Sequence, residues 1–259
     1  MGQRRAARIL RAGLDALLAV ALAPQCAACA AALDTPAASP VCPACWNRVR
    51  RLSPPLCRTC GDPLPSWRII SDALARCPRC RRRPPAVAAA RAAGEYEGSL
   101  RDIIHAFKYE GRRGLARPLG KLAAAQGDVI LRGAQWAVPV PLHPVRQLQR
   151  GFNQADDLAR ELGLPVANLL WRVRMTPAQT GLHAWARRRN VRGAFALSPL
   201  WSRRQRRSSL AGCTVVLVDD VRTTGATLNA CAEVLLEAGV REVRALTVAR
   251  AAIQGGLRT

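Results

Sequence analysis

The sequence predicts an α/β protein whose parallel sheet carries helices on both faces, preceded by a small cysteine-rich module. Beyond residue 85, apolar runs typical of strands alternate with helical patterns, an order that favours parallel strands covered on both sides. Eight of the 10 cysteines lie between Cys26 and Cys80, which sets that region apart. A chain of 259 residues has room for one α/β domain and one small extra module.

The first 24 residues combine basic side chains with an apolar run, a pattern that superficially suggests an export signal. The uninterrupted apolar run, residues 16–23, is too short to span a bilayer. Its apolar residues fall at helical spacing and end at Pro24, which favours a helix that packs against the protein. We therefore predict an N-terminal helix over residues 1–24, no membrane span and a cytoplasmic protein.

The remaining elements follow from hydrophobic period and from glycine and proline positions. The predicted strands cover residues 86–93, 136–140, 214–218 and 243–248, and the predicted helices cover residues 99–109, 153–162 and 227–238. Residues 172–209 are polar, rich in arginine and without a clean period, so we predict a long functional loop with a surface insertion there.

The clustered cysteines form four C-x-x-C pairs. They are Cys26/Cys29, Cys42/Cys45, Cys57/Cys60 and Cys77/Cys80. Two thiolates in one tight turn can both reach a Zn²⁺ ion, so two pairs complete a tetrahedral Cys₄ site. The pattern predicts two structural zinc sites within residues 25–85, paired sequentially or in a cross-braced order. A redox C-x-x-C is disfavoured because it normally opens a helix inside a βαβ unit.

A second motif follows the predicted strand 214–218. Asp219 and Asp220 come first, and then Thr223, Thr224, Gly225, Ala226 and Thr227 lead into a helix. Backbone N–H groups at a helix start form an anion cradle, and a glycine allows close approach of the ligand. Carboxylates instead suit sugar hydroxyls or the water shell of Mg²⁺. The motif therefore predicts a site for a phosphorylated ribose with Mg²⁺.

This stretch resembles the 5-phosphoribosyl diphosphate (PRPP) signature of type I phosphoribosyltransferases. The resemblance implies a type I phosphoribosyltransferase-like sheet over residues 86–259, with Asp219 and Asp220 as catalytic residues on the ribose hydroxyls. It also implies that residues 223–227 bind the 5′-phosphate. Arg222 departs from the signature, which usually has an apolar residue there. We expect its side chain to point outward or to reach a phosphate of a partner.

Over nearly the whole chain the sequence resembles the ComF/GntX family, in which a double zinc ribbon precedes a phosphoribosyltransferase-like domain. The matching stretches are residues 107–109, 139–144, 150–154, 176–182 and 193–195, together with Arg187 and Asn190. The resemblance implies a link to DNA uptake in natural transformation. It also implies that residues 172–198 contain a loop that closes over the ligand.

Three cationic residues are candidates for contacts to PRPP. Arg146 and Arg150 follow the predicted strand 136–140 and supply the planar donors that a diphosphate requires. Lys108 is a weaker candidate, for which a solvated helix position is the alternative. We assign no catalytic role to His105 or His143, since such residues more often serve in turns or cores.

The net charge of +23 attracts nucleic acids, nucleotides and sugar phosphates alike, although the excess of arginine also fits a GC-rich genome. Two functions stay open. One is a phosphoribosyltransferase of unknown acceptor that acts in DNA uptake. The other is a non-catalytic adaptor for single-stranded DNA or for proteins of the DNA-uptake machinery, with the PRPP pocket as a sensor or remnant. A salvage enzyme that uses a free base is a third, weaker option.

Overall fold

The computed structural model describes residues 24–36, 38–65, 75–174, 193–203 and 210–252. The helix predicted for residues 1–24 lies almost entirely outside these ranges, as do residues 176–182, Arg187 and Asn190. None of the helices in the described ranges combines the length and the apolar character that crossing a bilayer requires.

The main sheet has four parallel strands, as predicted. In chain order the strands of the protein are β1 (Ala89–Glu95), β2 (Trp136–Pro139), β3 (Leu170–Arg172), β4 (Phe195–Leu197), β5 (Thr214–Arg222) and β6 (Glu242–Arg250). The main sheet has the order β1-β6-β5-β2, and every neighbouring pair in it is parallel. Strands β3 and β4 form a separate antiparallel pair.

Helices cover both faces of the main sheet. They are α1 (Pro43–Asn47), α2 (Pro78–Arg82), α3 (Gly98–Tyr109), α4 (Ala116–Gln126), α5 (Asp128–Leu131), α6 (Pro144–Arg150), α7 (Gln154–Arg160), α8 (Pro199–Arg203) and α9 (Ala226–Glu237). A 3₁₀ turn at Arg113–Leu115 precedes α4.

Strand β5 separates two hydrophobic cores, because successive side chains of a strand point to opposite faces. Val216 and Val218 join the core formed with α3, α4 and α7. Val215 and Leu217 join the core formed with α9 and the β3–β4 pair. All four valine and leucine side chains are almost fully buried, and each such burial stabilises the fold by about 1.5–3 kcal/mol.

Two of the differences from the sequence prediction affect the surroundings of the predicted site. Strand β5 runs four residues beyond the predicted end, because its pairing with β6 continues through Asp219 to Arg222, which lies opposite Arg250. The region predicted as a long loop, residues 172–209, starts at the last residue of β3 and contains β4 and α8. Arg172 and Phe195 lie opposite each other in the β3–β4 pair, and both side chains are buried.

The cysteine-rich region packs on strand β1, the edge of the main sheet. The Ala90 amide donates to the Thr59 carbonyl at 2.7 Å, and the Glu95 amide donates to the Arg50 carbonyl at 2.9 Å. Gly61 and Gly94 allow this approach, since a Cβ on either would lie 2.5 or 2.7 Å from a backbone oxygen. The cysteine-rich region thus covers an edge strand that would otherwise present unpaired backbone groups.

Candidate functional site

The eight clustered cysteines form two separate groups of four. One group consists of Cys26, Cys29, Cys42 and Cys45, and the other of Cys57, Cys60, Cys77 and Cys80. Within each group all sulfur atoms lie within 4.8 Å of one another. The sequential pairing is therefore the one present, and the cross-braced alternative is excluded. We call the chain segments that carry the two groups, residues 26–45 and 57–80, the first and the second zinc ribbon.

The sulfur geometry fits Zn²⁺. The Cys29–Cys42 and Cys60–Cys77 sulfur pairs are 3.8 and 3.7 Å apart. A tetrahedron with Zn–S bonds of about 2.3 Å has edges of about 3.8 Å. In each ribbon the third cysteine precedes a short helix that begins with proline, and its amide donates to the sulfur of the first cysteine at 3.3 Å.

The thiols of the second ribbon strongly influence one another's ionisation. In the second ribbon, the hydrogen bond between Cys60 and Cys57 lowers the pKa of Cys57 to about 4 and raises the pKa of Cys60. One thiolate therefore suppresses ionisation of its neighbour. Four thiolates can coexist there only around a positive ion, and a Zn²⁺ with four protein ligands is structural.

The acidic pair lies where β5 extends beyond β2. The last residue of β2, Pro139, pairs with Val218, so the register between these two strands ends just before the acidic pair. The Lys108 ammonium lies 2.7 Å from the Asp220 carboxylate, and the exposed fractions of these side chains are only 14% and 13%. Lys108, which we predicted as a phosphate contact, is thus an ion-pair partner of the acidic pair.

The site has an excess of negative charge next to Lys108. Burial and the charge of Asp220 raise the pKa of Asp219 to about 7, although Lys108 opposes this shift. Burial alone would lower the pKa of Lys108, but the Asp220 carboxylate raises it. One ammonium thus compensates one of two carboxylates. The donor set fits a further cation such as Mg²⁺, or hydroxyl donors from a sugar.

The phosphate loop, residues 223–227, leads from the end of β5 into the first two residues of α9. Gly225 has φ +78°, a left-handed backbone conformation that residues other than glycine rarely adopt. Its carbonyl accepts from the Asn229 amide at 2.9 Å, and Thr224 Oγ1 accepts from the Ala226 amide at 3.3 Å. The first turn of α9 contains no acidic residue. Its positive end is therefore suited to a phosphate.

Helix α3 connects the acidic pair to the predicted diphosphate residues through three consecutive side chains. Phe107 packs on Phe152 with ring centroids 5.7 Å apart, while Lys108 binds Asp220. The next residue, Tyr109, accepts a hydrogen bond from Arg150 at 3.2 Å, and the guanidinium lies 4.8 Å from the ring centroid. This short stretch therefore contacts both the acidic pair and Arg150.

Two arginines lie close enough to influence each other at the site. Burial lowers the pKa of Arg172, and the positive charge of Arg146 lowers it further. Arg172 is only 7% exposed and stacks on Phe195 at 5.3 Å. A bound anion would offset the repulsion between these two positive charges. Sequence reasoning identified Arg146 but missed Arg172, because the surrounding segment has no period.

The expected orientation of Arg222 is wrong. Its side chain is only 3% exposed, and its guanidinium donates to Asp62 of the second zinc ribbon at 2.6 Å. The structure thus directs Arg222 inward, toward the cysteine-rich region. The cause is the extra length of β5, which carries Arg222 beyond the acidic pair to the position opposite Arg250.

Comparisons with known proteins agree with this division of the chain. Residues 17–81 match a family model described as a double zinc ribbon domain, and residues 148–257 match one described as a phosphoribosyl transferase domain. Competence protein F of Haemophilus influenzae is 32% identical over 221 residues, which are 82% of this chain and 90% of that protein.

Two further relatives are similar over most of their length. DNA utilization protein YhgH of Salmonella typhimurium is 31% identical over 81% of this chain and 90% of its own. Competence protein ComFC of Bacillus subtilis is 25% identical over 77% of this chain and 79% of its own.

Among solved structures, two enzymes align with about half of this chain. The allosteric regulatory enzyme of purine biosynthesis matches at 20% identity with a TM-score of 0.34, over 55% of this chain and 29% of that one. Glutamine PRPP amidotransferase from Bacillus subtilis matches at 23% identity with a TM-score of 0.35, over 54% of this chain and 30% of that one. The chain thus spans less than a third of the length of either enzyme.

Proposed function

We propose that this chain, which belongs to the ComF/GntX family, binds PRPP with Mg²⁺ at residues 219–228. Proteins of this family combine a double zinc ribbon with a phosphoribosyltransferase domain. One observation carries the proposal: a mostly buried pair of carboxylates lies two residues before a phosphate loop whose glycine has a positive φ. Carboxylates accept hydrogen bonds from ribose hydroxyls, and loop amides donate to the 5′-phosphate.

Each end of the site has a distinct role in this proposal. Asp219 and Asp220 orient the ribose, and residues 223–227 fix its phosphate. Lys108 offsets part of the repulsion between the two carboxylates and keeps Asp220 in place. Arg146 and Arg150 bind the diphosphate, and Arg172, whose pKa is lowered by the charge of Arg146, adds a third guanidinium.

The chemistry that this arrangement favours is substitution at the anomeric carbon. The bond from that carbon to the diphosphate oxygen breaks, positive charge develops on the ribose, and the acceptor atom forms the new bond. Bound Mg²⁺ would neutralise diphosphate oxygens and so stabilise the leaving group. The arginines stabilise the same oxygens, while the carboxylates stabilise the positive ribose. Catalysis is thus mainly positioning and charge stabilisation.

The names of the relatives support a role in DNA uptake and use. We propose that the chain acts in the cytoplasm, where zinc-binding thiols stay reduced. Single-stranded DNA and the uptake machinery are the partners that this role implies. A net charge of +23 favours contact with a nucleic-acid backbone.

A non-catalytic adaptor is the second candidate, and one observation favours it. The Asp220 carboxylate already has a cation, Lys108, at 2.7 Å. An internal ion pair of this kind would suit a pocket that senses PRPP without turning it over. A salvage enzyme would instead release diphosphate in the presence of a free base.

Calorimetric titration of PRPP and Mg²⁺ into the zinc-loaded protein tests the proposal. We expect micromolar binding that is lost in the Asp219→Asn/Asp220→Asn variant and retained in Asp128→Asn, whose carboxylate forms an exposed pair with Arg132. Absence of binding to a folded, zinc-replete sample would refute the proposal. Diphosphate release with single-stranded DNA or free bases as acceptors then separates transferase from adaptor.

A further inference from the structure

A carboxylate of the second zinc ribbon holds three arginine side chains. Asp62 lies two residues after the zinc ligand Cys60. Its Oδ1 accepts from Arg222 at 2.6 Å and from Arg250 at 2.7 Å, and its Oδ2 accepts from Arg79 at 3.0 Å. The exposed fractions of the Asp62, Arg222 and Arg250 side chains are 13%, 3% and 17%. We call this group the Asp62 cluster.

The cluster joins the zinc site to the end of the sheet. Arg222 and Arg250 are the last residues of β5 and β6 and lie opposite each other in the register. Arg79 lies between the zinc ligands Cys77 and Cys80. The phosphate loop starts at Thr223, the residue directly after Arg222. A displacement of Asp62 would therefore be transmitted to the first residue of the loop.

The second ribbon and the phosphate loop face each other near this cluster. A cavity of about 1020 Å³ separates them, lined by Thr59 and Arg79 on the ribbon and by Thr224 and Gly225 on the loop. The Arg222 side chain lies beneath the loop, with its Cδ 3.9 Å from the position that a Cβ of Gly225 would occupy. The ion pairs of the cluster thus link the second ribbon to the strand that leads into the loop.

We propose that Asp62 is a positioning residue through which the second zinc ribbon fixes the phosphate loop, so that zinc occupancy and ribose-phosphate affinity are coupled. The affinity part of this inference rests on the proposed binding of PRPP. Thermodynamic linkage makes the coupling reciprocal: bound PRPP retards loss of zinc from the second ribbon, and loss of that zinc weakens PRPP binding.

The test compares wild type with Asp62→Asn and Arg222→Met, using Asp128→Asn as the control. We expect both cluster variants to exchange amide hydrogens faster in residues 223–230 and to bind PRPP about tenfold more weakly. Arg222→Met leaves Asp62 paired with Arg79 and Arg250, so it provides a folded variant if Asp62→Asn fails to fold. Zinc content should remain two ions per chain in Arg222→Met and in the control.

Unchanged exchange and unchanged affinity in folded Arg222→Met would overturn the inference. If wild type fails to bind PRPP, the proposed function fails, and the exchange measurement still tests the cluster. Removal of zinc from wild type by a chelator should then accelerate exchange in residues 223–230. Unaltered exchange in that loop after loss of the second zinc would refute the coupling.

Discussion

Replacement of Asp219 by Asn should stabilise the ligand-free protein while abolishing ribose binding. The carboxyl lies beside Asp220 in a partly buried site, where its pKa is raised from 3.8 to about 7 by burial and by the charge of Asp220. Asn keeps the shape of the side chain, and its oxygen can still accept the Asp220 amide, which donates to Asp219 Oδ1 at 2.9 Å. The substitution therefore removes mainly the charge.

The sign and size follow from proton linkage. A raised carboxyl pKa means that the folded state keeps its proton to higher pH than the unfolded state, so stability is lost between about pH 4 and pH 7. At about 1.4 kcal/mol per pH unit, the full cost is about 3 kcal/mol at pH 6 and about 4 kcal/mol at pH 8. Because solvent screens a partly exposed carboxyl, we expect about half of this in an experiment, about 2 kcal/mol at pH 8.

Urea unfolding of zinc-loaded protein at pH 6 and pH 8 measures the effect, with Asp128→Asn as the exposed control. The free energy of unfolding of Asp219→Asn should exceed that of wild type at both values, and the difference should be larger at pH 8. The control should differ from wild type by less than about 0.5 kcal/mol. An Asp219→Asn variant that is no more stable than wild type at pH 8 would contradict the charge assignment.

Three further predictions concern the same region. PRPP affinity should rise about tenfold from pH 6 to pH 8, because the pKa of Asp219 is about 7 and its ionised fraction therefore increases about tenfold over this range. A calorimetric affinity that does not change with pH would contradict a role for ionised Asp219. Lys108→Met should lower the free energy of unfolding by about 3 kcal/mol in urea, since it leaves Asp220 unpaired, whereas the exposed Lys121→Met should change it little. Cys57→Ser should reduce the zinc content to one ion per chain by atomic absorption, and two retained ions would argue against separate Cys₄ sites.

Much of the architecture could be predicted from local patterns. Strand β5 is β-branched and apolar over residues 214–218, so its position and its burial on both faces follow from its composition. Its continuation to Arg222 could not be predicted, because that part pairs with β6 rather than burying apolar side chains. Strands β3 and β4 were missed for a related reason: each is three residues long, too short to show a period.

The site shows the same division between local and long-range information. The acidic pair and the phosphate loop are contiguous in sequence, so residue type and order were sufficient to identify them. The contact between Lys108 and Asp220 joins residues 112 positions apart, which no spacing rule can reveal. The predicted orientation of Arg222 was wrong because its partner, Asp62, belongs to a module whose placement on the sheet depends on tertiary packing.

The strand order has a consequence for how the domain assembles. Strand β6 is last in sequence among the described strands, yet it lies between β1 and β5 in the sheet. Strand β1 therefore pairs with a strand that begins about 150 residues further along the chain, and pairing over such a separation slows folding. Each zinc ribbon, in contrast, closes from ligands within 24 residues and can form early. A chain interrupted before residue 242 would lack β6. Strands β1 and β5 would then each have one edge without a partner strand.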